Sequence, residues 1–179
     1  MPPRHAHPRS PAPDGDTSPR DLVEPLFAEA ARGCRAAGIA PPPASLEVIG
    51  ERGTDADPRL VRGVLGPLVH RAFTAAAHAV GASDGPTLRE VLVTSVDLGD
   101  AIEIEVADSG PWLAEPVRQW LAGPASRGAV APEHAGLALT AAVVAAERIG
   151  GTLSAANCPE GGVAITLRLP RRRSRRMAA

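Results

Sequence analysis

Residues 101–112 read AIEIEVADSGPW. Ile102, Ile104 and Val106 alternate with Glu103 and Glu105, the period-two pattern of a strand with one dry and one wet face. The pattern ends on Asp108, followed by a Ser-Gly-Pro break. Working back toward the N-terminus, Val91, Val93 and Ser95 alternate with Leu92, Thr94 and Val96. Asp97–Asp100 joins the two runs as a hairpin turn. Working forward, Thr152–Ala156 and Val163–Leu169 form a second hairpin across the turn-rich residues 157–162. A further short strand is expected over Leu46–Ile49. Helical spacing predicts three helices. The first covers Asp21–Ala37, with Leu22, Leu26, Ala30 and Cys34 on one face, Pro25 in its first turn and Gly38 as the C-terminal cap. The second starts at Asp57-Pro58, an N-cap followed by proline. Its expected apolar face is Leu60/Val61, Val64/Leu65, Leu68, Ala72, Ala76 and Ala79. The third covers Gly136–Ile149. Residues 108–134, which hold both tryptophans and several Pro and Gly, read as a loop-rich stretch. The implied fold is α+β: a two-layer α/β sandwich with helices on one face of a mostly antiparallel mixed sheet.

Length and composition narrow the function classes. The chain has 179 residues, 44% hydrophobic and 22% charged, with a formal net charge of −1. That describes a single globular domain with one core. No apolar run reaches the roughly 18 residues of a membrane helix. The N-terminus lacks the apolar segment of a signal peptide, so the expected location is cytoplasmic. Cys34 and Cys158 read as small apolar residues of a reducing compartment, not a disulfide framework. All basic residues are arginine, and residues 1–170 carry 14 of them against 20 acids, whereas 171–179 carry five. The body is therefore acidic and the tail basic. Aromatic residues make up only 2% of the chain, which argues against a stacking platform for nucleic acid. Residues 1–19 hold six prolines and are expected to be disordered. The expected organisation is 1–19 as a Pro-rich segment, 20–170 as the domain, and 171–179 as an Arg-rich tail.

Several short motifs, in order, carry a resemblance. Asp57-Pro58-Arg59-Leu60 with Val64-Leu65 and Ala72 resembles the Asn-bearing helix of the ATP-binding domain of sensor histidine kinases, in the GHKL or Bergerat-fold superfamily. Val106-Ala107-Asp108-Ser109-Gly110-Pro111 resembles its first glycine box, and Gly136-Leu137-Ala138-Leu139 its second. Gly150-Gly151-Thr152-Leu153 and Gly161-Gly162 resemble its closing hairpin. The resemblance implies ATP or ADP as ligand. It gives Asp108 the role of acceptor for the adenine amino group and Gly110 that of close backbone approach. Gly136 and Leu137 then stand at a phosphate-facing helix start. Residues 112–134 correspond to a lid, with Trp112, Arg118 and Arg127 on it.

The departures fall on the chemistry. Arg71 stands where the family has its Mg²⁺-binding Asn, and a guanidinium has no lone pair to offer a metal. Pro67 stands one turn earlier, where relatives carry a second Asn or a general base. Trp112 replaces a glycine of the first box. Two readings of it follow: a plug folded into the adenine pocket, or an outward-pointing part of the lid. None of His5, His7, His70, His78 and His134 has a phosphoacceptor context, and no helical hairpin to carry one is legible before residue 20. No catalytic residue and no metal ligand set is therefore assigned, and Mg²⁺ binding is disfavoured. If nucleotide binds, Asp108 and Arg71 are expected to hold it without a metal.

The favoured function is a degenerate histidine kinase-like ATP-binding domain, a pseudokinase acting through a protein partner in two-component-type signal transduction. It keeps at most weak nucleotide binding and little or no turnover. The alternative is an active ATP-dependent protein kinase, of histidine kinase or anti-sigma serine kinase type, acting on a partner in trans. A third reading is a purely structural signalling module.

Overall fold

A computed structural model describes residues 16–50, 52–79, 89–123 and 131–171. The elements are α1 (Pro19–Ala36), β1 (Ala44–Ile49), α2 (Pro58–Ala77), β2 (Val91–Asp97), β3 (Ala101–Asp108), α3 (Glu115–Ala122), α4 (Gly136–Arg148), β4 (Thr152–Asn157) and β5 (Val163–Pro170). The strands form one sheet in the order β1-β2-β3-β5-β4. β1 and β2 run parallel, and every other pair is antiparallel. Among the described residues no helix is long and apolar enough to cross a membrane.

Alternation of side chains sorts the sheet into two faces. Val91, Val93, Ile102, Ile104, Val106, Val163, Ile165 and Leu167 are all buried against the helix layer. Val61, Val64, Leu65, Leu68, Ala72 and Phe73 of α2 answer them, with Leu139, Ala142 and Val143 of α4 beside. The opposite face is polar. Glu103 lies directly across from Arg168 and Glu105 across from Thr166, and both pairs are bonded, at 2.8 and 3.2 Å. Such cross-strand pairs each contribute a few tenths of a kcal/mol, roughly, so they tune the register without deciding the fold.

The two-layer sandwich expected from the sequence is the observed fold, with several local differences. α1 begins at Pro19, because Ser18 caps it by accepting from the Asp21 N–H at 3.1 Å. Pro25 therefore lies in the second turn, not the first, and its missing N–H leaves the Asp21 carbonyl without its helical donor. Arg62 of α2 supplies the replacement at 3.0 Å. Leu60 points to solvent, while Val69 and Phe73 join the core. The stretch 108–134 contains a helix, α3. Glu115 and Pro116 start it and Val117 and Leu121 bury one side. Two turns with one apolar pair are too short for a periodic signal.

Both ends of the domain reach further than expected. Thr17 pairs with Thr54 through two backbone bonds, of 2.9 and 3.0 Å, so residues 16–19 belong to the fold; the expectation of disorder for 1–15 lies outside the described residues. Arg171 belongs to the fold as well, and not to a tail. Its guanidinium bonds Asp97 at 3.1 Å and Asp16 at 3.3 Å, all three side chains being mostly buried. Its N–H donates to the Asp100 carbonyl at 2.8 Å. Residues 172–179 lie outside the described residues.

The Gly99 N–H, with Arg171 adding to it against the effect of burial, holds the Asp97 carboxyl below the ordinary carboxylate value. A depressed folded-state value contributes stability above the ordinary range, and that stability is lost as pH falls through it. Replacing Arg171 by Met is expected to lower the melting temperature by a few degrees at neutral pH. The gap from the parent should narrow as pH falls below the ordinary carboxylate value of about 4, through the depressed folded-state value. Thermal melts of both proteins across pH 3–7 measure this.

Candidate functional site

The period of β3 sends Asp108 inward. It shares parity with Ile102, Ile104 and Val106, so its carboxyl enters the helix-facing layer at the strand's C-terminal end. Its side chain is only 1% exposed. An unpaired carboxylate in such a place is costly, and the chain answers it twice. The Gly110 N–H donates to Oδ1 at 2.8 Å. Arg71 Nη1, from α2, donates to Oδ2 at 2.6 Å in a charge-assisted contact. The Arg71 side chain is 17% exposed, so it keeps some access to solvent.

Two glycines make the arrangement possible. A Cβ on Gly110 would meet the Ala75 Cβ at 2.5 Å. Only glycine lets the chain leaving β3 press against α2, one helical turn beyond Arg71. A Cβ on Gly162 would overlap the Asp108 carbonyl oxygen, so the β4–β5 turn closes on the same strand end. Burial pushes the Asp108 carboxyl above the ordinary carboxylate value, while Arg71 and the Gly110 N–H pull it back part of the way.

The residues singled out in the sequence do not all meet here. Asp108, Gly110 and Arg71 form one cluster. Gly136 and Leu137 lie elsewhere, at the start of α4, which has no side-chain cap. Leu137 is 91% exposed. With Ala138 it borders a groove of about 660 Å³ whose other walls include Leu26, Gly66, Pro67 and His70. Arg118 is paired with Glu115 on its own helix, and Arg127 lies outside the described residues.

Trp112 is not a plug. It is 61% exposed, and its Nε1–H donates to the Cys158 carbonyl on the β4–β5 turn at 3.0 Å. The indole is held outside the helix layer, on the β4–β5 turn. A residue missed in the sequence explains the direction. The Asn157 amide accepts from the Leu113 N–H and donates to the Leu113 carbonyl, both at 3.0 Å. This two-point clamp pins the chain leaving the site to β4. Asn157 reads locally as a turn residue, and nothing in its neighbourhood names a partner 44 positions away.

The donor set does not fit Mg²⁺. Arg71 offers only N–H donors, and Pro67 has no polar side-chain atom. Asp108, the acceptor at this site, has both oxygens engaged.

No protein-family model and no curated protein sequence matches the chain. Solved structures do. The catalytic domain of histidine kinase ThkA, in a nucleotide-free form, superposes with a TM-score of 0.64 at 20% identity, over 87% of this chain and 95% of that one. A second nucleotide-free form of the same domain gives 0.62 at 21% identity. Full-length ShkA, solved in complex with AMPPNP, gives 0.63 at 18% identity, over 87% of this chain and 30% of ShkA. The chain has the fold of the histidine kinase catalytic domain.

Replacing Arg71 by Met strands the buried Asp108 carboxylate. The expected loss at pH 7 is about 3 kcal/mol, the range for breaking a mostly buried pair from one side. The variant's Asp108 titrates higher still, so its folded state binds a proton more tightly than its unfolded state. Its stability therefore rises as pH falls. Denaturant titrations at pH 5 and 7 should show a smaller gap from the parent at pH 5. Adding Asp108→Asn should recover part of the loss at pH 7.

Proposed function

We propose that this chain is a degenerate histidine kinase-like nucleotide-binding domain that acts in cytoplasmic signalling through a protein partner and does not turn over ATP. The observation that carries this reading is the Arg71–Asp108 pair, 2.6 Å long. It places a permanent cation at the position that the family resemblance gives to a metal ligand. It also occupies the carboxylate that the resemblance gives to base recognition. Metal neutralisation of the phosphates and activation of the nucleophile each contribute several kcal/mol, roughly, to phosphoryl chemistry. Arg71 and Pro67 supply neither.

The fold's match to catalytic domains of histidine kinases supports the nucleotide-binding part of the reading. Leu137 supports the protein-binding part. Among the described residues it is the most exposed large apolar side chain, and it borders a groove bounded by three helices. Apolar surface left open beside a groove is available for a partner to cover.

A turnover assay with ATP and Mg²⁺ tests the proposal. The expected result is no Mg²⁺-stimulated phosphate release above background. Release that Asp108→Ala abolishes would show a working catalytic site and overturn the reading.

A further inference from the structure

Both oxygens of the Asp108 carboxylate are engaged from within the chain, one by the Gly110 N–H and one by Arg71. Any ligand that donates an N–H to Oδ2 has to displace Arg71. The displaced guanidinium keeps its charge at every accessible pH and stays on a mostly buried stretch of α2. A neutral ligand offers it nothing, and one ordinary hydrogen bond to Asp108 does not offset a stranded charge. A ligand carrying both an N–H donor and an anionic group resolves the problem. The donor takes over Asp108, and the anion takes over Arg71.

The side chain is built for such an exchange. Among the described residues Asp108 is the one bonding partner of the Arg71 guanidinium, and it is held through Nη1 alone. Nη2 and Nε carry no other bond among the described residues, and the fork geometry suits phosphate. The long stem changes partner by side-chain rotation, with α2 left in place.

We propose that Arg71 is an electrostatic latch on this site, released from Asp108 by the phosphate of a metal-free nucleotide. The ligand class is a nucleoside mono- or diphosphate with an amino-bearing base; the bare nucleoside is excluded. This rests on the reading of the site as a nucleotide-binding one. It carries a consequence of unusual sign. Mg²⁺ on the phosphates withdraws the negative charge that Arg71 needs, so the metal weakens binding instead of supporting it.

Calorimetry on the full chain tests the latch with adenosine, AMP, ADP and inorganic phosphate, each in EDTA and again with Mg²⁺. AMP and ADP in EDTA are expected to bind at least about tenfold more tightly than adenosine, and Mg²⁺ to lower the ADP affinity. In Arg71→Gln, checked for folding by circular dichroism, adenosine gains affinity and ADP loses it, so the two converge. If that variant does not fold, the ratio of ADP to adenosine and the sign of the Mg²⁺ effect in the parent decide alone. Four results would overturn the latch: adenosine binding the parent as tightly as ADP, Mg²⁺ strengthening ADP, phosphate alone matching ADP, or no nucleotide binding the parent. None of these touches the absence of turnover, which the phosphate-release assay reads separately.

Discussion

A carboxylate inside the helix-facing layer is the constraint on which the site depends. β3 alternates strictly, and its last inward position is Asp108 rather than another aliphatic residue. Nothing in the core can solvate that group, so the surrounding chain must. The Gly110 N–H and the Arg71 guanidinium do so, and both depend on close packing. Gly110 has room only for hydrogen against Ala75. Replacing it would push the β3 exit away from α2 and open the gap that Arg71 bridges.

This pairing lets a permanent cation stand beside the core without disturbing the fold. The strength of the sandwich lies in the aliphatic layer between the sheet and α2 and α4, at whose edge this pair sits. The cation at position 71 has its anion in Asp108, so the pair leaves no unpaired charge in the layer. Both carboxylate oxygens are engaged from within the chain, so the site is electrostatically closed.

Bonds between distant residues set the periphery in the same way. Arg62 supplies the donor that Pro25 lacks. Asn157 clamps Leu113, and Arg171 ties Asp16 to Asp97. Each satisfies a backbone or charged group that local structure leaves open, and each joins segments remote in sequence.

The amino-acid sequence by itself determined the two-layer architecture and the order of its strands and longer helices, and it singled out Asp108, Gly110 and Arg71. Periods of 2 and 3.6, caps and glycine motifs are local, and local patterns survive reading along one dimension. Tertiary structure decided the rest. Arg71 was legible as a non-ligand for metal, but that its partner is Asp108 follows only from the packing of α2 on β3. Trp112 invited a place inside the pocket because its neighbours belong to a pocket motif. Its indole N–H instead found an acceptor on a turn 46 positions later. α3 escaped notice because two turns give too little periodicity, and it forms because β4 is there to bury Val117 and Leu121. Where a side chain's best partner lies far along the chain, only the folded arrangement can name it.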